Sequence, residues 1–240
     1  GTANNPYFNI SFSPDHIYVY QGGVNTSTLS VYAVSPYQDI ALSINSSSLI
    51  TATLNPSVGS PDFNSTATVS VSLNTPPGNY ELRAVGYNGY YRYSAILYVT
   101  VLESPNVTFY AVGLGSDAQG TVLTVNGASV TYSQLPYTVK APPGTTITYA
   151  WSSPVSGNTG VRYIWQSTSG LASGQSGSFA MPQNGGSVIA TYLTQYYLTM
   201  KVAPQGAGTV SPGSGWYNAG AQVTINATPS AGYTFYGWSG

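Results

Sequence analysis

Apolar and polar residues alternate along most of this chain. No stretch sustains the capped 3.6-residue apolar period of an amphipathic helix. "TLSVYAV" (28–34), "TATVSVSL" (66–73) and "YSAILYVTVL" (93–102) alternate or run apolar, and they are rich in β-branched and aromatic residues. Gly, Pro and Asn interrupt such runs at intervals of about 8–12 residues, the spacing of a β-sandwich. Successive strand side chains point to opposite faces, so each run carries one apolar face that a second layer must cover. The 240 residues are enough for two or three small domains. The expected fold is all-β, two to three tandem sandwiches with essentially no helix.

Charge is the second constraint. Charged residues make up 5% of the chain, against roughly 25% in an average soluble protein. The five Lys or Arg and six Asp or Glu are scattered singly. No basic patch exists to neutralise phosphates, so nucleic acid is excluded as a partner. No cationic amphipathic helix exists to lie on a membrane, and no apolar run approaches the ~18 residues of a spanning helix. The hydrophobic fraction of 42% is too high for a disordered chain. Solubility must then come from hydroxyls, amides or attached sugar. Asn-x-Ser/Thr occurs at Asn9, Asn25, Asn45, Asn64, Asn106 and Asn226, each an acceptor signature for N-glycosylation in an exported protein. Chance triplets are the alternative in a chain so rich in Asn, Ser and Thr. The expectation is N-linked glycans and no other cofactor.

A charge-poor surface also suits acid. Below about pH 3 carboxylates are mostly protonated, and a fold built on ion pairs would lose them. With no Cys, the domains must stand on their cores rather than on disulfides. No signal peptide is visible, and the start "GTANNPYFNI" reads as a processed or trimmed N-terminus. The expected location is extracellular, at the cell surface, after signal-peptide removal, with any anchor outside this chain.

Three segments follow from the pattern: 1–104, 105–195 and 196–240. In the first, "FNISFSPDHIYVYQGG" reads as two strands broken at Ser13-Pro14, because Pro14 cannot donate to a ladder. Asn88-Gly89 reads as a type I′ hairpin turn. "PPGNYEL", followed by a strand and a last apolar strand, resembles the end of an immunoglobulin-like sandwich, in which a Tyr-containing corner often opens the penultimate strand. The resemblance implies fold, not activity.

The second and third segments resemble each other. "PPGTTITYAWSSPVSGNTGVRYIWQSTSG" and "NAGAQVTINATPSAGYTFYGWSG" each run from a Gly turn through a Thr-rich strand and a Gly-centred loop to a strand ending at Trp165 or Trp238. "YYLTMKVAPQGAGTVSPGSGWYNAGAQVTINATPSAGYTF" resembles the opening of the divergent internalin-type B repeat of bacterial and archaeal surface proteins, an adhesive or architectural module. In that family a Met-Pro-like turn and an alanine–aromatic closing strand follow the tryptophan strand. Met181-Pro182 and Ala190-Thr191-Tyr192 match them in the second segment only. Measured against the second, the third segment stops roughly 25 residues short of a closed sandwich and would expose unpaired edges. A cut or untied terminus, a dispensable last strand, or a strand supplied by another copy each accounts for this. Trp151, Trp165, Trp216 and Trp238 occupy equivalent-looking places and read as core plugs.

Catalytic signals are absent. His16, beside Asp15, is the one histidine, and no G-x-S-x-G elbow accompanies it. The pair reads as turn residues after Ser13-Pro14. Zinc would need more His or Cys, and calcium would need converging carboxylates, so no metal site is expected. "GLGSDAQG" (113–120) reads as a hairpin loop. The nearest thing to a site is aromatic. Alternation places Tyr91 and Tyr93 with Ala95, Leu97 and Val99 on the inner face, and Tyr90, Arg92 and Tyr98 on the outer one. Tyr87, Tyr90, Arg92 and Tyr98 form the candidate interaction surface, against ordinary sheet packing.

These features point away from an enzyme. They point to an extracellular structural glycoprotein that self-assembles into a filament or lattice with other copies or other surface proteins, by strand complementation in one form. Its Tyr-, Ser- and Thr-rich, Cys-free composition also resembles surface proteins of thermoacidophilic archaea. The alternative is a non-catalytic adhesive or carbohydrate-binding region of a larger secreted protein or hydrolase.

Overall fold

The computed structural model describes residues 7–35 and 38–240. They are all-β: the one helical element among them is a single 3-10 turn at Tyr132–Gln134. The chain divides into two compact units. The first holds Gly1–Asn106 with Val139–Thr145 and Met181–Gly185, and the second holds Val107–Thr138, Thr146–Ala180 and Gly186–Gly240.

Nine strands build the first unit: β1 (Tyr7–Ser13), β2 (His16–Tyr20), β3 (Val24–Ser35), β4 (Ile40–Ile44), β5 (Ile50–Asn55), β6 (Val58–Gly59), β7 (Phe63–Val71), β8 (Gly78–Tyr87) and β9 (Arg92–Leu102). They form a four-stranded sheet, ordered β1-β3-β7-β5, and a five-stranded sheet, ordered β2-β9-β8-β4-β6. The Ser13-Pro14 break lies where the chain leaves one sheet for the other. Strict alternation of buried and exposed residues along β1 and β2 turns Phe8, Ile10, Phe12, Ile17 and Val19 into one shared core. Leu29, Ala67, Val69, Leu97 and Val99 fill its centre. Tyr91 and Tyr93 pack against it, Tyr93 edge-on to Phe8 at 4.8 Å. The Tyr80 hydroxyl donates to the Pro76 carbonyl at 2.8 Å, the tyrosine corner of immunoglobulin-like sandwiches at the start of their penultimate strand.

The Asn88-Gly89 turn is not type I′. Tyr87 pairs with Arg92, so the loop has four residues, 88–91, and Gly89 takes positive φ (+93°) while Asn88 does not. Asn88 is buried instead, and its Oδ1 accepts from the Tyr90 and Tyr91 N–H groups at 3.0 and 2.8 Å. The side chain does what a backbone turn would have done. Asn126-Gly127 is the pair that adopts the left-handed conformation at both positions, with φ of 48° and 81°, as a two-residue I′ hairpin requires.

The remaining strands are β10 (Asn106–Val112), β11 (Thr121–Val125), β12 (Ala128–Thr131), β13 (Tyr137–Lys140), β14 (Thr146–Trp151), β15 (Val155–Ser156), β16 (Val161–Gly170), β17 (Ser176–Ala180), β18 (Gly186–Leu198), β19 (Gly208–Ser211), β20 (Gly215–Asn218) and β21 (Asn226–Pro229). One sheet is ordered β13-β10-β18-β16-β15, with β20 paired to β18, and a second is ordered β12-β11-β14-β17. Phe109, Leu123, Ile147, Val188 and Ala190 are fully buried. Phe109 has Tyr149 and Trp151 each at 6.2 Å and Phe179 at 6.4 Å. The first unit joins β2 to β9 in parallel, and the second joins β10 to β18 in parallel. The strand β18 is continuous through residues 195 and 196, and residues 186–240 lie in one compact unit.

Phe109→Ala should lower the stability of the second unit by about 3–5 kcal/mol. Tyr110→Ala, one residue on and 43% exposed, should change it by less than about 0.5 kcal/mol. Urea denaturation followed by tryptophan fluorescence reads both.

Candidate functional site

Register decides which of the aromatic residues meet. Tyr87 pairs with Arg92, and the Arg92 guanidinium lies 4.3 Å from the centre of the Tyr87 ring. Tyr90 sits in the adjoining loop, 73% exposed. Tyr98 is six residues further along β9, about 20 Å away at strand rise. It pairs instead with Glu81 on one side and His16 on the other. So Tyr87, Tyr90 and Arg92 lie together and Tyr98 belongs to a different group. His16 is not a turn residue: it opens β2, with its ring stacked on Tyr18 at 4.7 Å. Proline ends the preceding strand at position 14, but the chain resumes extended pairing within two residues. The signal was present in "HIYVY", where alternation puts His16 and Tyr18 on one face.

The six sequon asparagines are all exposed. Asn9 lies opposite Tyr32, and Asn64 lies opposite Ser30. Both therefore project from the outward face of the four-stranded sheet, on either side of β3. Asn25 Nδ2 donates to the Tyr18 carbonyl at 3.0 Å. Asn45 Oδ1 accepts from the Arg83 N–H. Among the described residues no group of three His, Cys, Asp or Glu is placed to hold a metal ion.

Residues 113–120 are not a hairpin. They carry the chain from β10 in one sheet to β11 in the other. Asp117 fixes this crossing: its carboxylate accepts from the Tyr163 hydroxyl and, at 2.7 Å, from the Asn158 N–H. A Cβ on Gly157 would come 2.6 Å from the Asp117 carboxylate, so a larger residue there would have to displace it. The Tyr163 hydrogen bond, then that of Asn158, holds the Asp117 carboxyl below its ordinary 3.8. Burial, then the Asp117 carboxylate, pushes the Tyr163 hydroxyl up to about 12. Burial raises Tyr192 further still.

The four tryptophans are not equivalent. Trp151 is 2% exposed and plugs the core. Trp165 is half-buried, with its Nε1 donating to Thr168 at 3.0 Å. Trp216 is half-buried beneath the Arg162 guanidinium at 4.4 Å. Trp238 is 46% exposed. The similarity of the two sequences does not carry through to packing, because β19 and β21 pair only with each other among the described residues. Their register runs from Gly208↔Pro229 to Ser211↔Asn226. An open groove beside them is lined by Ala207, Val210, Ala227, Tyr233, Phe235 and Trp238. Phe235 and Trp238 meet edge-on at 5.4 Å, both about half exposed, and Tyr236 is fully exposed.

Residues 198–240 match the family model of the divergent InlB B-repeat domain. No curated protein matches the chain. Among solved structures, an immunoglobulin domain in the titin M10–obscurin-like 1 complex is 17% identical at a TM-score of 0.26, covering 42% of this chain and 96% of that one. The D0-D1 domain of intimin is 14% identical at 0.28, covering 78% and 88%. The Yersinia pseudotuberculosis adhesin InvE is 12% identical at 0.26, covering 91% and 60%. The fold assignment rests on the chain's own strand pairing: tandem, immunoglobulin-like β-sandwiches.

The Asp117 carboxyl titrates lower in the folded chain than its ordinary 3.8, so its contribution is present above that value and is lost as pH falls through the lowered one. Tyr163 titrates higher, so its contribution is present below pH 10.0 and is lost as pH rises through about 12. The urea midpoint of the second unit should therefore fall on acidification below pH 3.8 and again on alkalinisation above pH 10.0. Asp117→Asn should be less stable at neutral pH and lose the acid-side slope. An identical slope in the variant would contradict the assignment.

Proposed function

We propose that this chain is a non-catalytic structural subunit of an extracellular, cell-surface assembly, in which copies join by β-strand addition at the open β19–β21 sheet. That sheet has unpaired outer edges among the described residues, and Phe235 and Trp238 lie exposed beside it. Unpaired strand edges offer a row of N–H and C=O groups to an incoming strand. The adjacent aromatic rings offer it apolar area. An edge on one copy that receives a segment of the next is a heterologous contact, and such contacts propagate as filaments or sheets. The match of residues 198–240 to a surface-protein repeat supports the location. Six exposed sequons support a glycoprotein, and a chain with 5% charged residues needs such hydration.

The association is apolar and hydrogen-bonded rather than ionic, so salt should not reverse it. Analytical ultracentrifugation in dilute acid should show polymer that persists at about 1 M salt. Phe235→Ala with Trp238→Ala should sediment as monomer. A wild-type chain that sediments as monomer, or a variant that still polymerises, would overturn the proposal.

A further inference from the structure

We infer that the outward face of β2, β9 and β8 is a binding site for a neutral saccharide, built on His16, Tyr18 and Tyr98. Two rows run across these strands. His16, Tyr98 and Glu81 form one, and Tyr18, Thr100 and Asn79 form the next. The His16 and Tyr18 rings are stacked, 4.7 Å apart and 24° from parallel, and Tyr98 stands edge-on to His16 at 6.3 Å. Tyr18 is 58% and Tyr98 44% exposed. A shallow depression beside them is lined by His16, Asn79, Tyr80, Glu81, Tyr98 and Val99.

The polar groups around these rings are already oriented. The Thr100 hydroxyl donates to Asn79 Oδ1 at 2.7 Å. It can donate only once, so at 2.8 Å it accepts from His16 Nε2–H. That places the proton of the neutral ring on Nε2 and leaves Nδ1 as an acceptor. The site therefore combines flat apolar rings with donors and acceptors at their border. A pyranose matches this, with one C–H face and a rim of hydroxyls.

Other occupants fit less well. An apolar protein surface would bury His16, Thr100, Asn79 and Glu81 against groups that cannot replace their water. Phosphate or an acidic sugar would meet the Glu81 carboxylate in the first row. The sugar has two possible sources: an N-glycan on a second copy, or a glycan from outside. The site does not depend on the β19–β21 association. Loss of polymer with sugar binding intact would remove that reading and leave this one.

The test is a two-dimensional NMR titration of the unglycosylated chain with mannotriose, cellotriose and chitotriose, and with trigalacturonate as the acidic control. At least one neutral trisaccharide should give saturable shifts at Ile17, Tyr18, Tyr98 and Val99, and the acidic one none. Tyr18→Ala and Tyr98→Ala should each weaken binding at least about tenfold, and Tyr98→Phe should keep most of it. Competition for those shifts by unlabelled glycosylated chain assigns the ligand to a second copy, and its absence assigns it to an outside glycan. Absence of shifts with all three neutral sugars, or shifts that survive both alanine changes, overturns the inference.

Discussion

Phe8, Leu29, Val69, Leu97 and Val99 meet between the two sheets of the first unit, and Phe109, Ile147, Trp151 and Val188 do the same work in the second. This burial of inward-facing side chains holds both units together. The chain has no disulfide. Among the described residues the one salt bridge is Lys140–Glu103, at 3.6 Å with Glu103 largely exposed. An ion pair of that kind contributes little. Most of what holds the strands is ladder hydrogen bonding and apolar area removed from water, neither of which titrates.

A fold of this kind leaves an unusual outer surface. The outward positions are Ser, Thr, Asn and Tyr rather than Lys and Glu. Tyr carries a large apolar body wherever it is exposed, so the surface offers contact area without charge repulsion. Asp117 departs from the pattern. A charge-poor chain was expected to be indifferent to acid, yet one carboxylate anchors the crossing between two sheets through Tyr163 and Asn158. Its lowered titration range extends that anchor into acid.

Much of the fold was legible in the sequence because strand periodicity is local. Alternation in "TATVSVSL" and "YSAILYVTVL" gave the faces, and Pro14 gave the break. "PPGNYEL" gave the tyrosine corner. What was hidden depends on register between distant segments. His16 and Tyr98 are neighbours because β2 and β9 pair in parallel, and no local pattern carries that. The same holds for Asp117 and Tyr163, 46 residues apart. The two Asn-Gly pairs look alike in sequence, but burial of the Asn88 side chain gave one a four-residue loop while Asn126 took the left-handed turn. The tryptophans misled for a related reason. Whether a ring is a plug depends on what faces it: Trp151 is 2% exposed, and Trp238, among the described residues, is 46% exposed.

In the proposed assembly the outer edges of β19 and β21 accept a strand from another copy. Hydrogen exchange at the amides of 208–211 and 226–229, compared between assembled and dissociated chains, tests it directly. Strand addition there should give these amides strong additional protection in the assembly. Equal exchange in both states, with new protection confined to other surfaces, would contradict it.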